Sequence, residues 1–182
     1  VEEADEHSPQ VFYDNVAIPT LKLATEAHAT VATAEHRHRL VSGMEQVLAE
    51  LHEDYPVEQG LLPEVICFGG RWQVDVLSAE MIGHALSLAG HPARIAKRGS
   101  VSQAYLASLD LEGASVACLT YFSPDPVTHG RYVIRRLRQR WPELKIVLVL
   151  WNVPADAVGD DLARRIGGNA IAALCIDHGG TR

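Results

Sequence analysis

Short apolar runs alternate with longer segments of helical periodicity from Glu64 to the end of the chain. Each run has the length of a strand, and the segments between the runs are long enough for helices. The predicted strands are 65–68, 92–96, Val116–Tyr121, Lys145–Leu150 and 170–176. The predicted helices are 72–89, 102–109, 126–140 and 155–166. Because parallel strands need a crossover between them, this alternation predicts a parallel sheet covered by helices on both faces.

The pattern before this region is helical. Ser8 followed by Pro9 is typical of a helix start, and apolar residues recur after it at helical spacing. A second helix is predicted over about 34–53, where the apolar residues form a single stripe. We expect the helical segment to be broken near Pro19 and again at residues 30–33.

Charge divides the chain in the same place as the hydrophobic pattern. The net charge is −7, and residues 1–60 carry 12 acidic and 3 basic residues, whereas residues 61–182 carry 11 acidic and 13 basic ones. The segment 56–63, with a proline at each end, is predicted to be the linker. We therefore divide the chain into an acidic helical segment, 1–60, and an α/β domain, 64–182. An acidic chain is a poor candidate for nucleic-acid binding, because phosphate contacts need clustered basic residues.

Basic residues are concentrated in the predicted helix 126–140, which contains five arginines. Arg131, Arg135 and Arg138 lie three or four residues apart and therefore share one face of the helix. An ordinary solvated face is the favoured interpretation. The alternatives are a contact with the acidic helices of residues 1–60 or with anionic lipid headgroups.

The cysteines, histidines and possible nucleophiles do not show the spacing of a disulfide, metal or catalytic site. Cys67, Cys118 and Cys175 all lie in predicted strands, which favours buried thiols in a reducing compartment over disulfides. None of the nine histidines pairs with a cysteine at zinc spacing. No nucleophile and base can be paired either. We therefore expect no metal ion, no cofactor and no catalytic residue.

A binding site is best sought at the carboxyl edge of the sheet. Open parallel sheets bind ligands beyond the carboxyl ends of their strands, where the strand order reverses. The candidate ligand-binding residues at this edge are Gly69, Gly70, Arg71, Trp72, Tyr121, Ser123, Asp125, Trp151 and Asn152. They form a ligand or partner surface, or the aromatic ones simply cap the sheet, and the sequence favours neither. For the two glycines, a tight turn is favoured over a phosphate cradle.

Three features of the α/β region resemble the cobalamin-binding module of corrinoid proteins and of light- or corrinoid-sensing regulators. The first long helix ends in a glycine-closed turn within 85–94. A helix opened by serine follows Gly99-Ser100, and the third strand ends in a loop bearing Ser123. The resemblance implies a five-stranded parallel flavodoxin-like, or Rossmann-like, α/β fold over about residues 64–176, preceded by a helical segment.

The residues that hold the cofactor in that family are replaced. The family binds corrinoid through an Asp-x-His-x-x-Gly motif after the first strand, with the histidine as lower cobalt ligand. Trp72 stands where the histidine belongs, and Leu150-Trp151-Asn152 replaces the paired glycines that admit the nucleotide tail. The resemblance therefore implies a relative that binds no corrinoid. A true corrinoid or tetrapyrrole sensor that uses His84 or His129 is the alternative.

A second resemblance covers the N-terminal segment. Residues 12–24 (FYDNVAIPTLKLA) resemble the segment that follows the last membrane helix in predicted permeases of the autoinducer-2 exporter type. The stretch 132–138 and the strand ending at Trp151 are also similar. This resemblance implies a cytoplasmic domain that is membrane-associated through an N-terminal transmembrane region preceding Val1.

Together these observations predict a non-enzymatic cytoplasmic regulatory or sensory domain of a membrane permease. It would bind a small ligand or a protein at the carboxyl edge of the sheet. Its partners would be the membrane-embedded part of the permease, another protein or a second copy of the chain, and not a nucleic acid. An enzyme of unknown type is the remaining alternative.

Overall fold

The computed structural model describes residues 8–26, 34–96, 102–153, 162, 166 and 171–174. The predicted break at residues 30–33, most of the predicted helix 155–166 and Cys175 lie outside this part of the chain. Gly99 and Ser100, which contribute to the first resemblance, also lie outside it.

The N-terminal segment is helical on both sides of an irregular turn. Helix α1 (Pro9–Phe12) is followed by a π-helical turn (Tyr13–Ala17), helix α2 (Ile18–Glu26) and helix α3 (Ala34–Asp54). The Ser8 hydroxyl accepts a hydrogen bond from the Val11 N–H at 3.4 Å, as the predicted helix start requires.

The predicted break of the helix near Pro19 does not occur, and a π-helical turn precedes the proline instead. The Ile18 N–H donates to the Tyr13 carbonyl, which is the wide pairing of a π-helix. Proline has no N–H and its ring collides with the carbonyl four residues before it, so a wider turn just before Pro19 eases its accommodation. The chain therefore stays helical through Pro19, and α2 runs on to Glu26.

The α/β region follows in the order that the sequence predicts. Its elements are β1 (Val65–Gly69), α4 (Gln73–Leu88), β2 (Ala93–Ile95), α5 (Gln103–Ser108), β3 (Val116–Tyr121), α6 (Val127–Arg140), β4 (Lys145–Leu150) and β5 (Ile171–Leu174). Strands β2, β1, β3 and β4 lie side by side in that order and are parallel. The short β5 pairs with β4, also in parallel. The predicted α/β class with a parallel sheet is confirmed.

The two faces of the sheet carry alternate residues of each strand. One face, the α6 face, presents Ile66, Leu119 and Leu148 to a core that includes residues of α5 and α6. The opposite face, the α4 face, presents Cys67 and Cys118, among others, to a core that includes residues of α4. Both cysteines are buried free thiols, as predicted.

The N-terminal helices complete the cover of the α4 face. Tyr13, Ala17, Ile18 and Leu21 belong to the same buried cluster as the strand residues of that face. Leu48 of α3 joins this cluster as well. The N-terminal segment therefore packs on the sheet of its own chain. None of the described helices has both the length and the apolar character needed to cross a bilayer.

Candidate functional site

A pocket of about 740 Å³ opens at the carboxyl edge of the sheet, where β1 and β3 lie side by side. Such a volume is within the range of small-molecule sites. The pocket is lined by Arg71, Trp72, Asp75, Tyr121, Ser123, Asp125, Pro126, Thr128, His129 and Tyr132. These residues come from three places: the loop between β1 and α4 together with the first turn of α4, the end of β3 with the loop after it, and the first turns of α6.

Five of the nine candidate residues named from the sequence line this pocket. They are Arg71, Trp72, Tyr121, Ser123 and Asp125. The loop that bears Ser123 and Asp125 also starts α6: the Ser123 hydroxyl accepts from the Asp125 N–H at 3.3 Å, and Asp125 Oδ1 accepts from the Val127 N–H at 3.4 Å. The binding of a ligand by these residues stays a prediction.

Gly69 and Gly70 allow the backbone after β1 to pass close to its neighbours. A Cβ atom on Gly69 would lie 2.6 Å from the Cα atom of Val76, and one on Gly70 would lie 2.6 Å from the Tyr121 ring. Both distances are too short for real atoms, so any larger residue would displace α4 or Tyr121. The pair is therefore required by close packing. Neither glycine has the positive φ of a turn that needs glycine, so the favoured turn interpretation is not what explains them.

Trp151 and Asn152 lie away from the pocket, under the N-terminal helices. Trp151 stacks on Phe122 with ring centroids 5.8 Å apart and is buried. Asn152 Nδ2 donates to Thr25 Oγ1 at 2.7 Å and to the Phe122 carbonyl at 2.8 Å. The structure thus does not bring these two candidates together with the other five, because the end of β4 is covered by α2.

Asp75, which the sequence analysis did not select, lies at the bottom of the pocket. Its carboxylate is almost fully buried and accepts hydrogen bonds from the Trp72 N–H at 2.8 Å and the Phe122 N–H at 2.7 Å. Burial raises the pKa of Asp75 to about 6, although the N–H groups of Phe122, Trp72 and Arg71 act in the opposite direction. The carboxyl group therefore changes protonation close to neutral pH.

Two buried hydroxyls support the backbone of Asp75. The Thr120 hydroxyl donates to the Asp75 carbonyl at 2.7 Å, and the Ser78 hydroxyl lies 2.7 Å from the Thr120 hydroxyl. Neither side chain is exposed, so both are structural parts of the contact between α4 and β3. This contact fixes the start of α4 against the sheet and thereby fixes the floor of the pocket.

Tyr121 and His129 form a second polar pair beside Asp75. The Tyr121 hydroxyl lies 3.2 Å from His129 Nδ1. Burial first, and the charge of Asp75 second, raise the pKa of Tyr121. Burial first, and the nearby charge of Arg71 second, lower the pKa of His129. The pocket therefore combines a neutral phenol, an imidazole that resists protonation and a carboxyl group that readily accepts a proton.

The sequence analysis did not name four of the lining residues, Asp75, Pro126, Thr128 and Tyr132, and it named His129 only as an alternative corrinoid ligand. For Asp75 a signal was present, since an acidic residue in the first helical turn often accepts from the N–H of the residue that starts the helix. The residues on α6 could not be placed from periodicity alone, because helical spacing shows which residues share a face and not what the face meets.

The other histidine named for a corrinoid, His84, is already engaged. Its Nδ1 lies 2.6 Å from the Tyr13 hydroxyl, and its Nε2 lies 2.8 Å from the Tyr55 carbonyl. His52 packs against its ring with centroids 4.3 Å apart. Across the ranges described, no group of three or more His, Cys, Asp or Glu side chains could hold a metal ion.

No protein-family model matches the chain, and no curated protein matches it either.

Proposed function

We propose that this chain is a non-enzymatic regulatory or sensory domain that binds a small polar metabolite, without cobalamin, in the pocket formed by β1, β3 and α6. The observation that supports it best is the pocket itself. It has the volume of a ligand site, and it collects polar groups of different kinds around the buried Asp75.

The lining defines the chemistry of the ligand. Trp72, Tyr121 and Tyr132 offer aromatic surfaces, which favour a ligand with a planar part. Arg71, from the loop after β1, supplies a positive charge to the lining, and Asp125, from the loop after β3, supplies a negative one. A compact molecule with a planar portion and both hydrogen-bond donors and acceptors fits this combination.

A chain of hydrogen bonds gives the pocket a route to the N-terminal helices. Asp75 accepts from the Phe122 N–H, the Phe122 carbonyl accepts from Asn152, and Asn152 donates to Thr25 of α2. Each step measures 2.7 or 2.8 Å. A ligand that moves the carboxylate of Asp75 would displace the end of β3 and, through Asn152, the docking of α2. This coupling between the pocket and α2 supports a regulatory role.

The wider context of the proposal rests on sequence resemblance. The order β2-β1-β3-β4 together with β5 supports a five-stranded flavodoxin-like domain, whereas the cobalamin-module type rests on the sequence resemblance alone. Residues 12–24, similar to the segment after the last membrane helix of certain predicted permeases, span the π-helical turn and most of α2. We infer that a permease is the partner and that α2 links it to the pocket. The gene sequence before Val1 tests this context: several apolar spans there would support it, and their absence would contradict it.

The absence of cobalamin is supported by the two tryptophans. Trp72 lines the pocket where the family carries its cobalt ligand, and indole is not a cobalt ligand. Trp151 fills the space at the end of β4 by stacking on Phe122. His129 is the one of the two named histidines that faces the pocket. An absorption spectrum after incubation with hydroxocobalamin tests whether the chain binds cobalamin. A bound corrinoid band that is lost in His129→Ala would contradict our proposal and show a corrinoid sensor.

A thermal-shift screen against a panel of small polar metabolites tests the binding step. We expect at least one compound to raise the melting temperature of the wild-type chain. Ser123→Trp should abolish the shift, because Ser123 lines the pocket and a larger side chain there would fill it. Ser42→Trp is the matched control, since Ser42 is exposed on α3 and outside the pocket. No shift with any compound, or an equal shift in Ser123→Trp, would contradict the proposal.

Hydrogen exchange tests the coupling. Binding of the compound found in the screen should change the exchange of amides in α2 in the wild type. The same compound should leave α2 unchanged in Asn152→Ala while still binding. A response of α2 that persists in this variant would show that the hydrogen-bond chain does not carry the signal.

An enzyme is the second candidate, and one observation favours it. A carboxyl group with a raised pKa and an imidazole with a lowered pKa, Asp75 and His129, line the same pocket. Perturbed acid and base groups in one cleft are typical of general acid–base catalysis. If incubation converts the ligand found in the screen to a product, and both Asp75→Asn and His129→Ala stop the conversion, the chain is an enzyme.

A further inference from the structure

The five arginines of α6 fall into two groups with different surroundings. Arg136 lies over the Tyr132 ring at 5.4 Å from its centroid, and Arg140 lies over Trp141 and donates to the carbonyls of Leu106 and Ala107. These two side chains have partners within the protein.

The other three, Arg131, Arg135 and Arg138, line a second cavity of about 740 Å³. This cavity lies on the α6 face, against Ile134 and Ile166. Its volume is within the range of small-ligand sites, and it is open to solvent, with Arg131 and Arg135 exposed. The sequence predicted that these arginines share a face, and here they share a cavity wall.

The charges of this cavity are not neutralised by the parts of the wall that the structure describes. None of its described lining residues is acidic, and Thr128, Tyr132 and Gln139 are the other polar ones. Among the ion pairs of the described residues, none involves the three arginines. Three guanidinium groups held together without a carboxylate repel one another, and an anion removes that repulsion.

Arg138 adds an independent observation. Its Nε and one of its terminal nitrogens are buried and have no hydrogen-bond partner. Buried charged donors are normally paired, because leaving them unpaired is costly. Guanidinium groups match phosphate oxygens through paired N–H donors, and three of them on one wall suit a ligand with more than one phosphate group.

We propose that the cavity lined by Arg131, Arg135 and Arg138 binds a small, multiply phosphorylated anion. The site is distinct from the pocket of the proposed function, although Thr128 and Tyr132 lie between the two and line both. The proposed occupant is a small soluble molecule, because the unpaired donors of Arg138 are buried and a small anion can enter the site to reach them.

Isothermal titration with inorganic tripolyphosphate tests the proposal. We expect binding to the wild-type chain that weakens as the salt concentration rises. The double variant Arg131→Gln/Arg135→Gln should weaken it by about tenfold or more. Both arginines are exposed, so the variant should fold. Arg138→Gln should weaken binding as well, but the double variant keeps the test valid if Arg138→Gln fails to fold.

The control for general loss of charge is Arg39→Gln, which removes one positive charge from an exposed position on α3, as Arg138→Gln does within the cavity. It should bind tripolyphosphate like the wild type, and so should Ser123→Trp, whose substitution lies in the other pocket. Absence of binding, or equal weakening in Arg39→Gln, would overturn the proposal. Loss of tripolyphosphate binding in Ser123→Trp would also overturn the proposal, because the arginine cavity would then not be a site separate from the other pocket. Capture by vesicles of anionic phospholipid without binding of tripolyphosphate would replace the cavity with a membrane-facing surface.

Discussion

The two faces of the sheet are covered by elements of different origin. On the α6 face, the cover of the strands includes residues of α5 and α6, which connect strands that are consecutive in the chain, and also Leu162 and Ile166. On the α4 face, α4 is such a connection, but α2 and α3 come from the far N-terminal part of the chain. The hydrogen bond between Asn152 and Thr25 joins residues 127 positions apart. One face is therefore closed by short-range connections and the other depends on long-range docking.

Buried polar atoms without a hydrogen-bond partner occur on both sides of the sheet, and on α6 they are Nε and one terminal nitrogen of Arg138. The α4 face contains two buried polar atoms without a hydrogen-bond partner, Trp151 Nε1 and Asn152 Oδ1. Both lie where β4 ends under α2. Unpaired buried groups lower the stability of the contact that contains them. Because α6 is joined directly to β3 and β4 whereas α2 adjoins no strand, we expect α2 to separate from the sheet more readily than α6 does. Local opening of this kind is typical of elements that move in regulation.

The largest effect is expected on the α6 face. Leu137→Ala removes a fully buried side chain from α6 and should lower the free energy of unfolding by about 2–5 kcal/mol. Urea denaturation measures it, and the loss should appear in one cooperative transition. Leu88→Ala is the control, because Leu88 is 40% exposed and should cost much less. Similar losses in both variants would show that burial in this core is not what stabilises the fold.

A somewhat smaller effect is expected for Leu21→Ala on the α4 face. Leu21 is fully buried, but α2 can relax around the missing atoms, so we expect a loss of about 2–3 kcal/mol. Leu23→Ala is a close control, since Leu23 lies two residues away in the same helix and is 68% exposed. Hydrogen exchange should then show faster opening of α2 while β3 and β4 stay protected. Equal destabilisation of the whole sheet would contradict the difference between the faces.

The third prediction concerns pH. Burial raises the pKa of Asp75 to about 6 in the folded chain, above its value of about 3.9 in an unfolded chain. Protonation therefore favours the folded state: this stabilisation is complete below about pH 4 and is lost as the pH rises through about 6. From about pH 4.5 to about pH 7.5, the titration of Asp75 should lower the free energy of unfolding by on the order of 2 kcal/mol. Asp75→Asn should lack this part of the pH dependence in urea denaturation, and identical pH profiles would refute the assignment.

The smallest effect is expected at the junction of the two regions. Asn152→Ala removes the donor to the Phe122 carbonyl and to Thr25, and should cost about 1–2 kcal/mol. Ser42→Ala, at an exposed position, is the control and should change the stability little. A cost as small as that of the control would mean that α2 is held by its apolar contacts alone.

The sequence was sufficient for the elements of the sheet because their signals are local. Strand β3, Val116–Tyr121, and strand β4, Lys145–Leu150, have the predicted bounds. A short, continuous apolar run with turn residues on both sides is typical of a buried strand. The helix start at Ser8 was also predicted from the identity of two residues. The π-helical turn before Pro19 was not, because its wide hydrogen-bond pattern has no compositional signal.

The candidate site was predicted in part for a similar reason. The rule that places ligands at the carboxyl edge of parallel strands led to Arg71, Trp72, Tyr121, Ser123 and Asp125, and these residues line one pocket. It also led to Trp151, which is at the same edge but is buried against Phe122. The rule identifies the edge of the sheet but not how deeply each residue is buried there. It therefore cannot distinguish a residue that faces the pocket from one that a distant helix covers.

By itself the sequence determined the order of strands and helices, the parallel α/β class and the arginine face of α6, because these follow from residue spacing within short segments. Only the tertiary structure decided that α2 docks on the α4 face, that Asp75 is the buried floor of a pocket and that three arginines share a cavity. Those facts depend on which distant segments exclude water from one another. That exclusion changes the pKa of Asp75 and leaves donors of Arg138 unpaired, and it is not encoded in any single stretch of the chain.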